Sequence, residues 1–375
     1  MKNVEIIFKE SPASVIFRKA ETTLEVPALW LREKTPDADS IDTQTQQRLF
    51  DSHLIDPEIA LIKLEKVTSS SAWLTFSDGH QALYTESEIL DNALDLDPVP
   101  SAESWKSDIN VKLVRHNWTE LNDDAKFQAS LIAYLKYGFI ILTNVPNNAE
   151  QVLAVGSKFG YVKETNFGKY FEVYSKPSAN DLAYRSVRLG PHTDNPYRDP
   201  VPGIQLLHCL INETSGGLST LVDSVSVVEA LKREDYEGYK LLKDTSVRFR
   251  FVDKGVELTS RRPMISVDDA GNTLGVHYSP RLDSLPLLED AKVKAFHRAR
   301  KRLAELFNHE DYELKFRLGA GELMLFDNSR VLHGRTSYDP SEGHRHLQGC
   351  YIDFDGPRER FSEVMKRLRM LEVAA

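Results

Sequence analysis

The stretch PHTDNPYRDP, residues 191–200, sets His192 and Asp194 two apart and follows them at once with Asn195, Tyr197 and Arg198. On a strand, residues i and i+2 share a face, so this imidazole and carboxylate can point the same way. In a chain with 11 histidines such a pair arises by chance, and a third ligand is needed to make it informative. RVLHGRTSY supplies His333 on an expected strand, followed by the small Gly334, far enough downstream to return across a barrel. Two neutral imidazoles and one carboxylate hold Fe(II) by one face and leave the other open for a chelating cosubstrate and O2.

Arg345, in GHRHLQGCYIDF, is a fourth feature. A 2-oxoglutarate that chelates iron through its keto acid end presents a distal carboxylate. The fork of an arginine meets a carboxylate with two parallel hydrogen bonds. The same three ligands on zinc would suit a metal-dependent hydrolase, and a barrel without its metal would only bind. The hydrolase gives Arg345 no task, and an intact triad speaks against the barrel without its metal.

The elements that must position these residues follow from patterning. In residues 1–98, VEIIFKE, ASVIFRK, SSAWLTFSD and HQALYTE alternate apolar and polar residues as short strands do. The polar, proline-bearing DLDPVPSAES at 95–104 reads as a linker to a second domain, 104–375. There NDDAKFQASLIAYLKYG predicts a helix capped by Asn122 or Asp123 and closed by Gly138. FIILTNV, GIQLLHCLI, GLSTLVD and LQGCYIDFDG predict strands. EQVLAVGSKFG, SVVEALKREDYEGYKLL and LEDAKVKAFHRARKRLAELFNH predict helices, and GELMLFDNSRVLHGRTSY a strand, a turn at Asp327-Asn328 and a strand. The fold class is mainly β with flanking helices, a sandwich or jelly roll.

Composition narrows the function classes. A net charge of −9 argues against a phosphate-tracking surface for nucleic acid. No apolar run approaches the roughly 18–20 residues of a membrane span, and the first residues lack a signal-peptide pattern, so the expected location is cytoplasmic. Two cysteines, Cys209 and Cys350, both in apolar runs, are expected as buried reduced thiols.

HTDNPYRDPVPGIQLLHC, LHGRTSY and RHLQGCYIDFD, with WLRE at 30–33, resemble the γ-butyrobetaine and trimethyllysine hydroxylase branch of the Fe(II)/2-oxoglutarate dioxygenases. The resemblance spans nearly the whole chain. It implies a double-stranded β-helix behind a small β-rich N-terminal domain, and a homodimer. It implies iron on His192, Asp194 and His333, 2-oxoglutarate on Arg345 with Leu207 lining its pocket, and O2 as the other cosubstrate. It also implies an aromatic cage for a trimethylammonium group, matched by Tyr184 and Tyr351 and more loosely by Phe167 and Phe171. A quaternary ammonium has no N–H to donate, so ring faces must provide its binding.

Two departures stand out. Relatives bind a structural zinc through cysteines just after WLR and a later histidine. Here Thr35, Asp37 and Ser40 stand near those places and His80 is left without thiol partners, so no structural zinc is expected. Relatives also hold the substrate carboxylate partly with asparagines. Here Asp181 replaces one, and YSPRLDS at 278–284 replaces an Asn-Asn segment. Asn195, Tyr197 and Arg198 instead suggest a more highly charged anion. The expected substrate is 2-(trimethylammonio)ethylphosphonate, hydroxylated at a CH2 carbon, with γ-butyrobetaine, giving carnitine, as the alternative. Elemental analysis of protein purified without added metal should find no zinc. Stoichiometric zinc surviving replacement of His192 and His333 would reveal another site.

Overall fold

The computed structural model describes residues 4–20, 22–94, 99–174, 186–253 and 255–374. The chain divides into two compact units, residues 1–98 and 99–375. The first holds two three-stranded antiparallel sheets, Val4–Glu10, Ala13–Lys19 and Thr22–Glu25, then Leu61–Thr68, Ser71–Phe76 and Gln81–Thr85. Phe8, Val15, Leu31, Leu74, Phe76 and Tyr84 form their shared core. WLRE lies on a short helix, Ala28–Glu33, and Glu86–Leu94 forms a second helix. Where thiolates might have been looked for, the Thr35 hydroxyl donates to Asp37 at 2.7 Å and meets His80 Nε2 at 2.8 Å. His80 Nε2 also lies 3.0 Å from Asp37. A polar cluster of hydrogen bonds therefore joins these segments.

The second unit is a double-stranded β-helix. Its larger sheet runs Phe171–Tyr174, Arg345–Ile352, Ile204–Asn212, Leu323–Asp327, Phe139–Thr143, Arg115–Asn117, with Val162–Lys163 also on the Arg345 strand. The smaller sheet runs Leu189–His192, Val331–Arg335, Ser219–Asp223, Leu314–Phe316. Pairing is antiparallel except between the two strands at the Arg115 edge. Strand alternation splits the Ile204–Asn212 strand between two cores. Leu207 and Cys209 join Phe139, Leu221, Phe326 and Leu347 between the sheets. Ile204 and Leu206 pack under the helices Asp124–Tyr137, Gln151–Phe159 and Asp355–Ala374. Cys350 belongs to that outer core, so the two thiols, both buried and free, lie on opposite faces of one sheet.

The helix expected at 122–138 spans Asp124–Tyr137, with the Asp123 carboxylate accepting from Lys126 N and Gly138 closing it at φ 75°. The expected single helix from Ser226 is two, Ser224–Glu234 and Tyr236–Asp244. Asp235 leaves helical geometry and its carboxylate accepts from Gly238 N at 2.8 Å. An aspartate that caps a new helix competes with continuation of the old one. These helices, Asp290–Phe307 and the Ser246–Asp253/Val256–Pro263 hairpin build a third core around Val228, Phe249 and Phe296.

His208 is fully buried, and neither ring nitrogen has a partner among the described residues. Burial disfavours its charged form and lowers its pKa to about 4. Between that value and the ordinary value near 6.5 the unfolded chain binds the extra proton. The stability owed to neutral His208 is thus complete above about pH 6.5 and lost as pH falls towards 4, by roughly 3 kcal/mol. Urea unfolding at pH 7.5 and pH 5 should show about 2 kcal/mol of this loss, and His208→Leu should shrink it while raising stability at pH 7.5 by about 1 kcal/mol. An equal loss in both proteins would refute the assignment.

Candidate active site

His192 ends its strand directly opposite His333 on the neighbouring strand, and the two ring centroids are 4.3 Å apart. Asp194 is not on that strand. It lies two residues beyond its end, where Asn195 takes φ 53°. Strand alternation therefore does not orient the carboxylate, contrary to expectation. Asp194 is held instead by Asn328, whose side chain accepts from Asp194 N at 2.7 Å and donates to Asp194 O at 2.9 Å. Thr193, between the two ligands, is pinned by reciprocal bonds with Tyr278, N to O at 2.8 Å and Tyr278 N to Oγ1 at 2.9 Å.

Asp194 Oδ1 lies 3.4 Å from His192 Nε2 and 3.9 Å from His333 Nε2. Among the described residues these three form the group of His, Cys, Asp and Glu side chains able to hold a metal ion, with ligand atoms all within 4.8 Å. An octahedral ion about 2.1 Å from each donor spaces adjacent donors by about 3 Å, so a small contraction closes the triad. His192 Nδ1 lies 3.0 Å from Gly190 O, which leaves Nε2 for the metal. Burial, then the neighbouring His192, lowers the pKa of His333 to about 3 and keeps it a neutral ligand. Burial opposes ionisation of Asp194, but His192, His333 and Tyr351 outweigh it and hold the carboxyl well below its usual range. The donor set thus fits Fe(II).

The Tyr351 hydroxyl donates to Asp194 Oδ2 at 2.7 Å and accepts from Asn195 Nδ2 at 3.1 Å. Tyr197 in turn donates to Asn195 Oδ1. Asn195 and Tyr197, expected at the substrate anion, spend these groups on a chain that ends at the metal carboxylate. Phe171 lies 5.3 Å from the Tyr351 ring, in space opened by Gly349, whose Cβ would come 2.4 Å from it. Leu207 lies directly opposite Gly349. Phe167 belongs to a second aromatic group, 6.1 Å from Phe251, which stacks on Tyr197 at 4.7 Å. Arg198 lies over Phe167 and Tyr197 and donates to Asn166, while its buried Nε has no acceptor among the described residues. Asp181 and Tyr184 fall outside the described residues.

Arg345 is buried at the start of the strand that carries Tyr351. Burial, then the charge of Arg335, lowers its pKa to about 10, and its Nε has no acceptor among the described residues. Three site neighbours were not foreseen from the sequence. Asn328 is fully buried behind Asp194, and Arg335 is buried two residues past His333. Gln205 lies opposite Tyr351, with its Oε1 buried and without a partner among the described residues. For Arg335 and Gln205, parity with His333 and Leu207 on their strands was the available signal.

A double-stranded β-helix carrying a triad of two histidines and one carboxylate defines an Fe(II)/2-oxoglutarate-dependent dioxygenase. Residues 100–351 match the family described as Taurine catabolism dioxygenase TauD, TfdA family, and the chain belongs to that family. Residues 3–87 match the gamma-butyrobetaine hydroxylase-like N-terminal family. The gamma-butyrobetaine dioxygenase of Pseudomonas sp. (strain AK-1) is 29% identical over 351 residues, 92% of this chain and 90% of that protein. The trimethyllysine dioxygenase of Meyerozyma guilliermondii is 25% identical over 369 residues, with coverage of 92% and 90%. Among solved structures, a taurine dioxygenase from Burkholderia xenovorans aligns with a TM-score of 0.46 at 16% identity, over 68% of this chain and 92% of that one. No helix among the described residues is long and apolar enough to cross a membrane.

Tyr351→Phe removes the hydroxyl that orients Asp194 and should weaken Fe(II) binding about ten- to a hundredfold. An anaerobic Fe(II) titration measures this, and unchanged affinity would make the Tyr351–Asp194 bond incidental.

Proposed function

We propose that this enzyme hydroxylates a CH2 carbon of a small quaternary ammonium anion, with γ-butyrobetaine as the leading substrate. The reading is carried by the butyrobetaine-hydroxylase-like N-terminal match together with a butyrobetaine dioxygenase relative aligned over 92% of the chain. Bound Fe(II) and 2-oxoglutarate supply the oxidative decarboxylation that couples O2 to C–H hydroxylation. The chain supplies placement. His192, Asp194 and His333 bind the iron, and Tyr351 orients Asp194. Arg345 takes the distal carboxylate of 2-oxoglutarate, while Leu207 keeps that pocket apolar. Phe171 and the face of Tyr351 pack against the trimethylammonium group beside the metal.

A second reading keeps the phosphonate substrate expected from the sequence. The buried Nε of Arg198, with no acceptor among the described residues, favours it. A phosphonate takes several donors at once.

Turnover of γ-butyrobetaine and 2-(trimethylammonio)ethylphosphonate, compared by mass spectrometry on one preparation, ranks the two. A higher kcat/KM for γ-butyrobetaine, with Arg198→Ala neutral towards it, is expected. The reverse order, with the phosphonate hurt more by Arg198→Ala, would install the second reading. Turnover of neither would remove both. His333→Ala should abolish 2-oxoglutarate consumption with either. Arg345→Ala should raise the 2-oxoglutarate requirement on the order of ten- to a hundredfold, from the strength of hydrogen bonds to charged groups. An unchanged requirement would take Arg345 out of the site.

A further inference from the structure

The strand that delivers His333 ends at Arg335, and alternation turns both side chains to the same face. Arg335 lies in register between Leu189 and Ser219, both buried, and is itself 5% exposed. One of its terminal nitrogens donates to Val187 O at 3.0 Å. Its guanidinium carbon lies 4.9 Å from the centre of the Tyr338 ring. The guanidinium carbon of Arg345, which arrives on the other sheet, lies 5.7 Å from the same ring. Two buried cations from opposite sheets thus share one aromatic ring.

The surroundings close on this pair. Gly217, at φ 66°, lies so near that a Cβ there would come 3.0 Å from Arg345 Nε. No carboxylate among the described residues pairs with Arg345, and its Nε is buried without an acceptor. Two like charges held close in a buried place repel, and the charge of Arg335 adds to burial, the larger cause, in lowering the pKa of Arg345. An anion shared between them turns that repulsion into two attractions and gives the buried Nε of Arg345 an acceptor.

We propose that Arg335 is a second binding residue for the distal carboxylate of 2-oxoglutarate, forming with Arg345 and the Tyr338 ring a clamp of two guanidinium groups. This rests on Arg345 as the anchor for that carboxylate. Each arginine offers a planar fork, so two forks approaching from opposite sheets fix the orientation of the carboxylate as well as its position. The clamp selects for a five-carbon diacid and discriminates against 2-oxo acids that lack the second carboxylate.

The test is anaerobic equilibrium binding by calorimetry to the Fe(II)-loaded enzyme, with 2-oxoglutarate and with 2-oxobutyrate, which has no distal carboxylate. Arg335→Gln should weaken 2-oxoglutarate on the order of ten- to a hundredfold and leave 2-oxobutyrate within about twofold. Arg345→Gln should do the same. The double variant should lose less than the product of the two single losses, because both forks serve one carboxylate. If Arg345→Gln weakens 2-oxoglutarate and Arg335→Gln does not, the clamp is overturned and the single anchor stands. If neither does, the anchor falls as well. Equal weakening of both acids by Arg335→Gln means a structural role and overturns the proposal. Should thermal melting show Arg335→Gln unfolded, Arg335→Lys keeps the charge and loses the fork. The affinity ratio of 2-oxoglutarate to 2-oxobutyrate must then fall, and an unchanged ratio overturns the proposal.

Discussion

Asn328 is fully buried, and its side-chain amide accepts from Asp194 N and donates to the carbonyl oxygens of Asp194 and Pro202. Its own N–H donates to Gly203 O at 2.9 Å. These bonds matter because Asp194 has no ladder to hold it. Its strand ends at His192, and the next residue after Asp194 is left-handed. The carboxylate that completes the metal site is therefore placed by a side chain from the turn that leads into the His333 strand. One amide makes the loop bearing one ligand and the strand bearing another a single rigid piece. An apolar residue at 328 would leave buried backbone groups without partners, which costs more than a typical hydrogen bond gains.

That turn is itself anchored. Asp327 accepts from Ser329 N at 2.8 Å and Arg330 N at 3.0 Å. Arg330 reaches the buried Asp223 at 3.1 Å and donates to Lys136 O at 2.8 Å. Asp223 also takes the Trp105 N–H at 2.9 Å and caps the helix that follows it. A buried ion pair returns little net stability after desolvation, but breaking one is costly. What it secures here is position, since the Ser219–Asp223 strand, the turn and residues 103–105 meet at one point. From there Val331–Arg335 carries His333 inwards.

The metal ligands were legible in the sequence because their chemistry is local: residue type and spacing are both visible. The orientation of Asp194 was not legible, since a bend and not a strand holds it, and the amide that does so is remote in sequence. Strands and helices with clear periods could be read. The break at Asp235 could not, because an apolar period runs through it while a cap beneath interrupts the helix. The Ser246–Asp253/Val256–Pro263 hairpin exposes charged residues on one face and closes through Gly255 at φ 84°, a signal present but weak. Arg335 escaped because a charged residue beside a ligand reads as a strand end. Only the opposite sheet shows that it shares the Tyr338 ring with Arg345.

Cys209 lies between the two sheets, in the core that also holds Leu207 and Phe326, and the Phe326 ring is 4.9 Å from that of His333. A thiol lodged in the interior of an oxygen-handling enzyme is an internal target, since oxidants attack the thiolate and not the neutral thiol. Burial pushes this thiol up to about 11, against the pull of the Arg345 cation. Cys209 therefore stays protonated at working pH, and the apolar packing that shapes the barrel also protects the protein from wear by its own chemistry.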